Sequence, residues 1–320
     1  MSSKMKYAIG VDLCGTSIKI GLVSEDGKIV KKISVDTEAS GGPRKVICNI
    51  KNGVHQLLSE INLPIQGIGI GCPGVVNPQK GIVENPPNFY NWKKVNVGRP
   101  LSMEFEKDVF VENDANAAAI GELIFGNGKK YHSFVMVTLG TGVGGGIIIK
   151  RKLYHGDFSA AGEIGHITID HNGPKCNCGS FGCIEAYAGS NYLRKRVWDG
   201  LKQHPRSLIN KLIEKNYDLL TPRKIKEAAD KGDKYAISII EDLGVKLGAA
   251  FASVSNLIDV STYIVGGGVA GFGKPLFNSI QKTFSSRVLK SLQPRVKVIS
   301  AQLKNEAGIK GASALVFHGY

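Results

Sequence analysis

The sequence has 320 residues, of which 42% are hydrophobic, and this length is enough for two globular domains with buried cores. Its 41 Lys and Arg residues outnumber 27 Asp and Glu residues, giving a formal net charge of +14 that favours polyanions of any kind. The basic residues are spread along the chain, so we interpret them as solvated faces and expect no nucleic-acid partner. The N-terminus lacks a secretion signal, and glycines interrupt the apolar run 134–149. We therefore expect no membrane segment and a cytoplasmic location.

The first third of the chain predicts an α/β arrangement. Apolar segments separated by turns predict three antiparallel strands at 7–13, 18–24 and 28–35. A helix with apolar residues at helical spacing follows Pro43, and the segment IQGIGIG predicts a further strand after Pro64. A strand at 109–112 then leads into an alanine-rich helix at 115–125, which places Asp114 where a strand becomes a helix.

The next segment repeats the first. An offset of 125 residues places Gly15 and Thr16 on Gly140 and Thr141, and the same offset places Gly21 on Gly146. Both copies read as strand, glycine turn, strand. Such a duplication predicts two similar halves, each contributing one glycine turn to a shared cleft, with a chance match as the alternative.

The remainder of the chain is largely helical. Helices are predicted at 184–197, 207–214, 222–231 and 235–257. A strand at 263–265 meets GlyGlyGlyVal, a helix runs to Leu289, a strand follows at 295–300, and the last helix begins at Ala307.

A cysteine-rich loop lies in the middle of the chain, in the segment EIGHITIDHNGPKCNCGSFGCIE. Four residues of types that bind zinc occur there, the number that fills a closed tetrahedral site: His166, Cys176, Cys178 and Cys183. Three free thiols beside an incidental histidine are the alternative. A disulfide fits less well, because three cysteines cannot all pair among themselves. The remaining cysteines, Cys14, Cys48 and Cys72, have no framework spacing, which agrees with a reducing compartment.

The segment GTGVGG at 140–145 has the spacing GxGxxG, but a strand follows it where a dinucleotide-binding fold requires a helix. Glycine turns between antiparallel strands can still present backbone N–H groups to phosphate. We therefore predict that the turns at 14–17 and 140–146 hold a triphosphate, with two plain hairpins as the alternative.

These motifs together resemble one family. The segments DLCGTSIKIGLV, CPGVVNP, ENDANAAAIGE, TLGTGVGGG, AGEIGH, CNCGSFGCIE and IVGGGVAGFG occur in the order found in the ROK family of sugar kinases and repressors. The resemblance covers essentially the whole chain, and is strongest to bacterial kinases of the glucokinase type. It implies an actin-like ATPase (ribonuclease H-like) fold of two α/β domains around a nucleotide and sugar cleft. We expect a small domain at 1–114, completed by a C-terminal helix at 305–320, and a larger one at 115–304.

The resemblance also implies an activity, the ATP-dependent phosphorylation of a hexose, glucose above all, at its 6-hydroxyl. Asp114 is implied as the general base, which suits a carboxylate held at a strand-to-helix junction, although a helix N-cap is the commoner use of AsnAsp before such a helix. Asp12 is expected to hold hydrated Mg²⁺. The implied ATP-binding residues are Asp12, Gly15, Thr16, Lys19, Gly140, Thr141, Gly142, Gly144, Gly266, Gly267, Gly268, Ala307 and Gly308. Cys14 departs from the family's usual glycine, which puts the geometry of the first turn in question.

Sugar recognition needs fixed partners for several hydroxyl groups. The resemblance assigns this role to Gly74, Asn88, Asn113, Asp114, Glu163, His166 and Glu185. Asn88 lies in NFYNW, which only loosely matches the family's pattern. Zinc would be structural and hold the sugar-binding wall, so its loss should weaken sugar binding before ATP binding. The other histidines, His155 among them, are expected to be surface or packing residues.

Several alternatives stay open at this point. A kinase for N-acetylmannosamine, N-acetylglucosamine or fructose is the nearest. A sugar-responsive repressor would need a DNA-reading helix, for which the chain has no space before the first strand at about Tyr7. A non-catalytic sugar sensor is disfavoured by Asp114 and the two glycine turns. The family resemblance also implies a homodimer.

Overall fold

The computed structural model describes residues 5–319 and divides into two compact units. Unit 1 contains Met1–His132, Gly146–Gly162 and Gln302–Tyr320, and unit 2 contains Ser133–Gly145 and Glu163–Ala301. Helix 115–125, which the sequence-based division placed in the larger domain, belongs to unit 1, because it packs against the C-terminal helix. The division by contacts thus falls at His132 rather than at Asp114. Among the described residues, no helix is both long and apolar enough to cross a membrane.

The elements alternate between strands and helices along the chain. The strands are β1 (Tyr7–Leu13), β2 (Ser17–Ser24), β3 (Ile29–Asp36), β4 (Ile65–Cys72), β5 (Val75–Asn77), β6 (Ile82–Glu84), β7 (Lys94–Asn96), β8 (Asp108–Asn113), β9 (Phe134–Leu139), β10 (Val143–Ile149), β11 (Lys152–Leu153), β12 (Thr262–Gly266) and β13 (Lys297–Ser300). The helices are α1 (Gly42–Ser59), α2 (Gly98–Phe105), α3 (Asp114–Phe125), α4 (Glu185–Ala188), α5 (Ser190–Gly200), α6 (Leu208–Leu212), α7 (Pro222–Asp230), α8 (Lys234–Ile258), α9 (Lys274–Arg287) and α10 (Ala307–His318). The α/β class expected from the sequence is confirmed.

The main sheet of unit 1 has the strand order β3-β2-β1-β4-β8. Strands β1, β2 and β3 are antiparallel, as predicted, whereas β4 pairs in parallel with both β1 and β8. β3 alternates half-buried and exposed residues at the sheet edge, and its exposed positions include Lys32, a charge that discourages pairing with another chain. β1 and β4 are buried throughout most of their length, because α10 packs on them.

Register brings three strand ends of unit 1 to one edge of this sheet. Asp12 near the end of β1 pairs with Gly71 of β4, and Cys72 at the end of β4 pairs with Asn113 at the end of β8. Because these strands are parallel, their carboxyl ends lie side by side. The loops and helix N-termini that follow them therefore meet at this edge, where ligands bind in open α/β sheets.

A small three-stranded antiparallel sheet, β5-β6-β7, also belongs to unit 1. Trp92 packs edge-to-face on Phe89, with ring centroids 5.3 Å apart, and its indole N–H donates to the Val83 carbonyl at 3.3 Å. The sequence pattern did not predict these strands, because a three-residue strand is too short to show alternation.

Unit 2 is built on β9, β12 and β13, which pair in parallel, with β10 on the other side of β9. Its helical part is packed around α8 and α9, and Phe251 of α8 stacks on Tyr263 of β12 at 4.2 Å between ring centroids. The helix predicted over 184–197 is instead two helices, α4 and α5. Gly189 between them has an extended backbone (φ −61°, ψ 136°), which ends the first helix and caps the second.

Both copies of the predicted repeat have the expected form. In the first, β1, a turn and β2 form a hairpin, and in the second, β9, a glycine turn and β10 follow the same order. The strand after GTGVGG is present, so the segment lacks the helix that a dinucleotide fingerprint requires.

Candidate functional site

Asp12 is the centre of a polar cluster at the carboxyl edge of the unit 1 sheet. Its side chain is largely buried, and Lys19 of β2 donates to Oδ2 at 3.1 Å. The Cys14 thiol donates to Oδ1, with Sγ and Oδ1 3.6 Å apart. Gly308 in the first turn of α10 lies against the same carboxylate, because an added Cβ there would come within 2.8 Å of both Asp12 oxygens. The structure thus joins Asp12, Lys19 and Gly308, three of the predicted ATP-binding residues.

The turn that contains Cys14 keeps a closed geometry despite the departure from glycine. The Cys14 N–H donates to the Ser17 carbonyl at 3.0 Å, and the Thr37 hydroxyl donates to the Cys14 carbonyl at 2.6 Å. Burial raises the pKa of the Cys14 thiol to about 12, and the Asp12 carboxylate adds to the rise. The thiol is therefore neutral at physiological pH and adds no negative charge to the turn.

The Asp12 carboxylate also affects the pKa of Lys19. Partial burial is the largest single influence and lowers the pKa of Lys19, but the charge of Asp12, the neighbouring Cys14 and the hydrogen bond to Asp12 together outweigh it, so the pKa is raised overall. Lys19 is consequently a permanent cation beside the first turn. A cation with this placement suits an anionic ligand, and the Asp12 oxygens are the type of ligand that Mg²⁺ takes.

Asn113 and Asp114 form the junction between β8 and α3. The Asn113 Oδ1 accepts hydrogen bonds from the N–H groups of Ala115 at 3.0 Å and Asn116 at 3.1 Å, so Asn113 is the N-cap of α3. Its amide Nδ2 donates to the Gly74 carbonyl at 3.0 Å. Asn113 thus takes the N-cap position, while Asp114 Oδ1 also accepts from the Ala115 N–H at 2.8 Å. Asp114 is the first residue of the helix, where the positive end of the helix dipole favours a carboxylate.

Gly74 and Asn88 lie in the loops around this junction, and both have positive φ. Gly74 has φ +92°, and a Cβ at this position would lie 2.8 Å from the Glu84 carbonyl oxygen, so only glycine fits. Asn88 has φ +67°, which asparagine adopts more readily than most residues. Its Cβ is 3.9 Å from an ideal Cβ position on Gly15, which places Asn88 beside the first glycine turn.

Two residues next to this junction were missed by the sequence-based prediction of the site. Glu112 is almost fully buried, and its Oε1 accepts from the Asn113 N–H at 2.7 Å and from the Asn116 Nδ2 at 3.0 Å. His155 Nε2 lies 2.7 Å from Glu112 Oε2, and this contact raises the pKa of His155. His155 is therefore neither a plain surface residue nor a packing residue. Glu112 opens the motif ENDAN and could have been found there, whereas no local pattern marks its partner.

The second glycine turn lies in unit 2 between β9 and β10. The Gly140 N–H donates to the Gly142 carbonyl, and the Ser190 N–H donates to the Gly140 carbonyl, both at 2.9 Å. Glu185 fixes the far side of the turn, because its Oε2 accepts from the Val143 N–H at 2.9 Å. Thr141 is exposed and Gly144 is half-buried. An added Cβ on Gly140 would meet nothing within 4 Å, which leaves the open space that a phosphate-binding turn requires.

The cysteine loop gathers the four predicted metal ligands. One donor atom from each of His166, Cys176, Cys178 and Cys183 lies within 4.8 Å of the others. The Cys178 and Cys183 Sγ atoms are 3.7 Å apart, and Cys176 Sγ is 3.8 Å from His166 Nδ1. Zn–S bonds of about 2.3 Å in a tetrahedron place two sulfurs about 3.8 Å apart, so the donor set fits zinc. All six cysteines carry free thiols, which leaves these three unbridged.

Glu163 and Glu185 flank the metal-ligand cluster within unit 2. His166 Nε2 is 3.9 Å from Glu163 Oε2, whereas its Nδ1 faces Cys176. Partial burial raises the pKa of Glu163, and the negative charge of Glu185 adds to the rise against the opposing attraction of His166. Glu185 Oε1 is 3.9 Å from Cys176 Sγ. One carboxylate therefore contacts both the metal-ligand cluster and the second glycine turn.

The predicted adenosine-binding residues lie in different units. Gly266, Gly267 and Gly268 follow β12 in unit 2, and Gly267 has φ +89° with its Cα against Leu139 of β9. Ala307 and Gly308 begin α10 in unit 1, next to Asp12. The structure thus brings Gly308 to the first glycine turn. The roles of all these residues stay predictions.

The fold is α/β and carries two glycine turns, a carboxylate at a strand-to-helix junction and a His-Cys₃ cluster. These are the features by which the sequence resembles a family of sugar kinases and repressors. The chain belongs to the ROK family, whose profile matches residues 8–318.

Individual relatives match nearly the whole chain. The glucokinase of Thermotoga maritima is 36% identical over 308 residues, which are 96% of this chain and 96% of that protein. The crystal structure of a ROK family glucokinase from Streptomyces griseus, in complex with glucose and AMPPNP, has a TM-score of 0.85 at 35% identity and covers 97% of this chain and 98% of that one. A ROK family transcriptional regulator, a homologue of the E. coli MLC protein, has a TM-score of 0.88 at 26% identity, and this chain covers 77% of its length.

Proposed function

We propose that this protein is an ATP-dependent sugar kinase that phosphorylates the 6-hydroxyl of glucose. The observation that carries the proposal is the similarity to glucokinases along almost the entire chain, at 36% identity to the Thermotoga maritima enzyme. The Streptomyces griseus relative was crystallised with glucose and AMPPNP, an ATP analogue. The fold of the regulator is equally similar, so fold alone does not separate kinase from regulator, and the higher sequence identity to glucokinases favours the kinase.

In this proposal Asp114 is the general base. Its carboxylate accepts the proton of the sugar 6-hydroxyl while the hydroxyl oxygen forms a bond to the γ-phosphorus of ATP. The bond between the γ-phosphorus and the bridging oxygen breaks, and ADP leaves with that oxygen. The N-terminus of α3 and the Asn113 cap support this role, because they hold Asp114 at a fixed position. A fixed base lowers the entropic part of the barrier.

The two glycine turns are proposed to bind the phosphates of ATP through backbone N–H groups, assisted by Lys19. Asp12 is the residue that would hold Mg²⁺, which neutralises phosphate charge when it is bound. The buried position of Asp12 and its contact with Lys19 support this assignment, since both groups then face the same phosphates. The segments at 266–268 and 307–308 are proposed to contact the adenosine.

Zinc is proposed as a structural ion held by the His-Cys₃ cluster. Four protein donors leave no open position, so the ion orders the loop and does not activate water. Glu163, His166 and Glu185 are proposed to face the sugar from this loop, with Gly74, Asn88 and Asn113 completing the sugar contacts. The orientation of His166 supports this, because Nδ1 faces the cysteines and Nε2 faces Glu163.

A coupled assay of ADP release across a panel of hexoses tests the proposal. We expect the highest kcat/KM for glucose, with lower values for N-acetylmannosamine, N-acetylglucosamine and fructose, the substrates of the nearest alternatives. If one of these sugars gives a higher kcat/KM than glucose, that sugar is the preferred substrate and the protein is still a sugar kinase. If no sugar stimulates ADP release while calorimetry detects sugar binding, the protein is a sensor and the kinase proposal is wrong.

The remaining partners also stay predictions. A homodimer is expected, and light scattering of the purified chain measures its mass directly. The spread of basic residues supports the absence of a nucleic-acid partner. The cytoplasmic location agrees with six free thiols, which a reducing compartment preserves.

A further inference from the structure

Glu112 and His155 form a hydrogen-bonded pair directly behind the junction that carries Asp114. His155 Nε2 and Glu112 Oε2 are 2.7 Å apart, although 43 residues separate them in sequence. The Glu112 side chain is 2% exposed and that of His155 is 29% exposed. A buried carboxylate of this kind needs hydrogen-bond donors on both oxygens, and here Oε1 has two and Oε2 has His155.

The Glu112 carboxylate accepts hydrogen bonds from residues on both sides of Asp114. Its Oε1 binds the N–H of Asn113, the residue before Asp114, and the side chain of Asn116, one turn into the helix. Asn113 in turn caps α3 and donates to Gly74. A rotation of Glu112 would therefore release the groups that hold Asp114 in place.

His155 fixes the rotamer of Glu112 from a different segment. It follows β11 in a loop whose two ends are closed by backbone hydrogen bonds, from Tyr154 N–H to the Ile147 carbonyl at 2.9 Å and from Ala161 N–H to the His155 carbonyl at 3.0 Å. The same loop leads directly into Glu163, a proposed sugar contact. The pair thus connects β8, the strand that precedes the proposed base, to the loop that precedes a proposed sugar-binding residue.

We propose that Glu112 and His155 are positioning residues for the kinase reaction. The hydrogen-bonded pair holds the Asn113–Asp114 backbone and the 154–162 loop in the arrangement that sugar phosphorylation requires. Neither side chain is proposed to touch the sugar, the nucleotide or the transferred phosphoryl group. The inference rests on the proposed function for its kinetic consequences, but the ordering of the junction does not depend on it.

The kinetic test compares His155→Ala and His155→Gln with the parent. Loss of a charge-assisted hydrogen bond to a buried carboxylate in His155→Ala should lower kcat about tenfold and raise the KM for glucose about fivefold. The KM for ATP should not change, since the hydrogen bonds described for Glu112 and His155 involve no residue of the first glycine turn. His155→Gln retains an N–H donor of similar reach and should recover most of kcat.

His55→Ala is the matched control, because His55 Nε2 makes an equivalent contact with Glu104 Oε1 at 2.9 Å on the exposed surface of unit 1. It should leave all three kinetic parameters at parent values. In a Glu112→Gln background, His155→Ala should change kcat and the KM for glucose much less than it does in the parent, as expected for residues that act as a pair. Parent kinetics in His155→Ala, or an equal rise in both KM values, would overturn the proposal.

Amide hydrogen exchange gives a second readout that needs no turnover. In the ligand-free protein, His155→Ala should speed exchange of the Asn113, Ala115 and Asn116 amides, whose acceptors are Glu112 and Asn113. His155→Gln should restore slow exchange, and His55→Ala should leave it at the parent rate. Unchanged exchange in His155→Ala overturns the inference even if no sugar is phosphorylated. A parent without kinase activity but with the expected exchange pattern defeats the proposed function alone.

Discussion

Asp114 is held in place mainly by its neighbours. Asn113 satisfies the first N–H groups of α3, and Glu112 binds the Asn113 N–H and the Asn116 side chain. The Asp114 Oδ1 also accepts from the Ala115 N–H at 2.8 Å, so Asn113 and Asp114 share the first N–H groups of α3. At the scale of single residues, the chemistry of the junction depends on the different contacts that these three adjacent side chains make.

Asp114→Asn should abolish most of the turnover, because an amide cannot accept the proton of the sugar hydroxyl. General-base catalysis contributes about 10²–10⁴-fold, so we expect kcat to fall within that range while the Kd for glucose stays close to the parent value. The coupled assay measures the first quantity and calorimetry the second. Asp108→Asn, at an exposed carboxylate at the start of β8, the strand that precedes Asp114, serves as the control. Retention of parent kcat in Asp114→Asn would remove Asp114 as the base.

The His155–Glu112 pair should make stability depend on pH. The hydrogen bond to Glu112 raises the pKa of His155 above the ordinary value of 6.5. A raised pKa in the folded state means that the charged pair contributes fully below about pH 6.5, and that its contribution is lost as pH rises through the folded pKa. Denaturant unfolding from pH 5 to 9 should show a destabilisation by His155→Gln that shrinks with increasing pH. A difference that stays constant across this range would contradict the assignment.

At the scale of elements, helix α10 brings a distant part of the chain to the first glycine turn. Its first turn carries Gly308, which lies against the Asp12 carboxylate, and its middle packs on β1 and β4. The helix itself was predictable from the alanine-rich segment that starts at Ala307. Its contact with Asp12 was not, because 296 residues separate Gly308 from Asp12 in the sequence.

Gly308→Ala should destabilise the protein, against the usual trend for helices. Alanine in place of glycine within an exposed helix typically stabilises by about 1 kcal/mol. Here the added methyl would meet Asp12, so we expect a lower Tm and a weaker affinity for nucleotide. Gly271→Ala is the control, since an added Cβ there has no neighbour within 4 Å. Thermal unfolding measures the Tm, and calorimetry measures the nucleotide affinity. A rise in Tm would show that α10 accommodates the added methyl group without a loss of stability.

The cysteine loop should require its metal for sugar binding. Metal analysis should find one zinc ion per chain, and Cys178→Ser should lower that content. Glu163 and His166 belong to the loop, so removal of zinc should weaken glucose binding more than nucleotide binding. The contact of Glu185 with the Val143 N–H predicts a smaller loss of nucleotide affinity as well. Calorimetric titrations before and after chelation measure both, and full glucose affinity in zinc-free protein would contradict this account.

At the scale of the whole molecule, the chain consists of two units that each carry one glycine turn. Unit 1 contains the carboxylates Asp12 and Asp114, and unit 2 contains the metal-ligand cluster and the residues that flank it. The full-length similarity to glucokinases applies to both units together. Ligands that bind the native protein should therefore stabilise the folded chain as a whole.

Glucose should raise the thermal unfolding temperature. A ligand at 100 times its Kd stabilises the native state by about 2.7 kcal/mol, which is a measurable shift for a chain of this size. We expect a larger shift with glucose than with fructose at equal concentration, and a further shift with AMPPNP and Mg²⁺. Xylose, which lacks a 6-hydroxymethyl group, provides a comparison sugar. A shift of equal size with all three sugars would argue against a glucose-specific site.

The sequence by itself determined the features that depend on neighbouring residues. Strands β1 and β2, the turn at 140–142 and the cluster of four predicted metal ligands follow from local pattern, because side-chain alternation, glycine turns and ligand spacing are short-range properties. Local pattern failed where elements are very short, as in β5, β6 and β7, and where a packed glycine divides a helix, as at Gly189.

Only the tertiary structure decided which distant residues meet. The pairing of Glu112 with His155, the position of Gly308 against Asp12 and the membership of α3 in unit 1 all join segments far apart in the chain. Such contacts arise when strand register and helix packing bury apolar surface, and no short stretch of sequence predicts them. The sequence therefore determined the types of groups in the site, and the packing of the fold decided which of them act together.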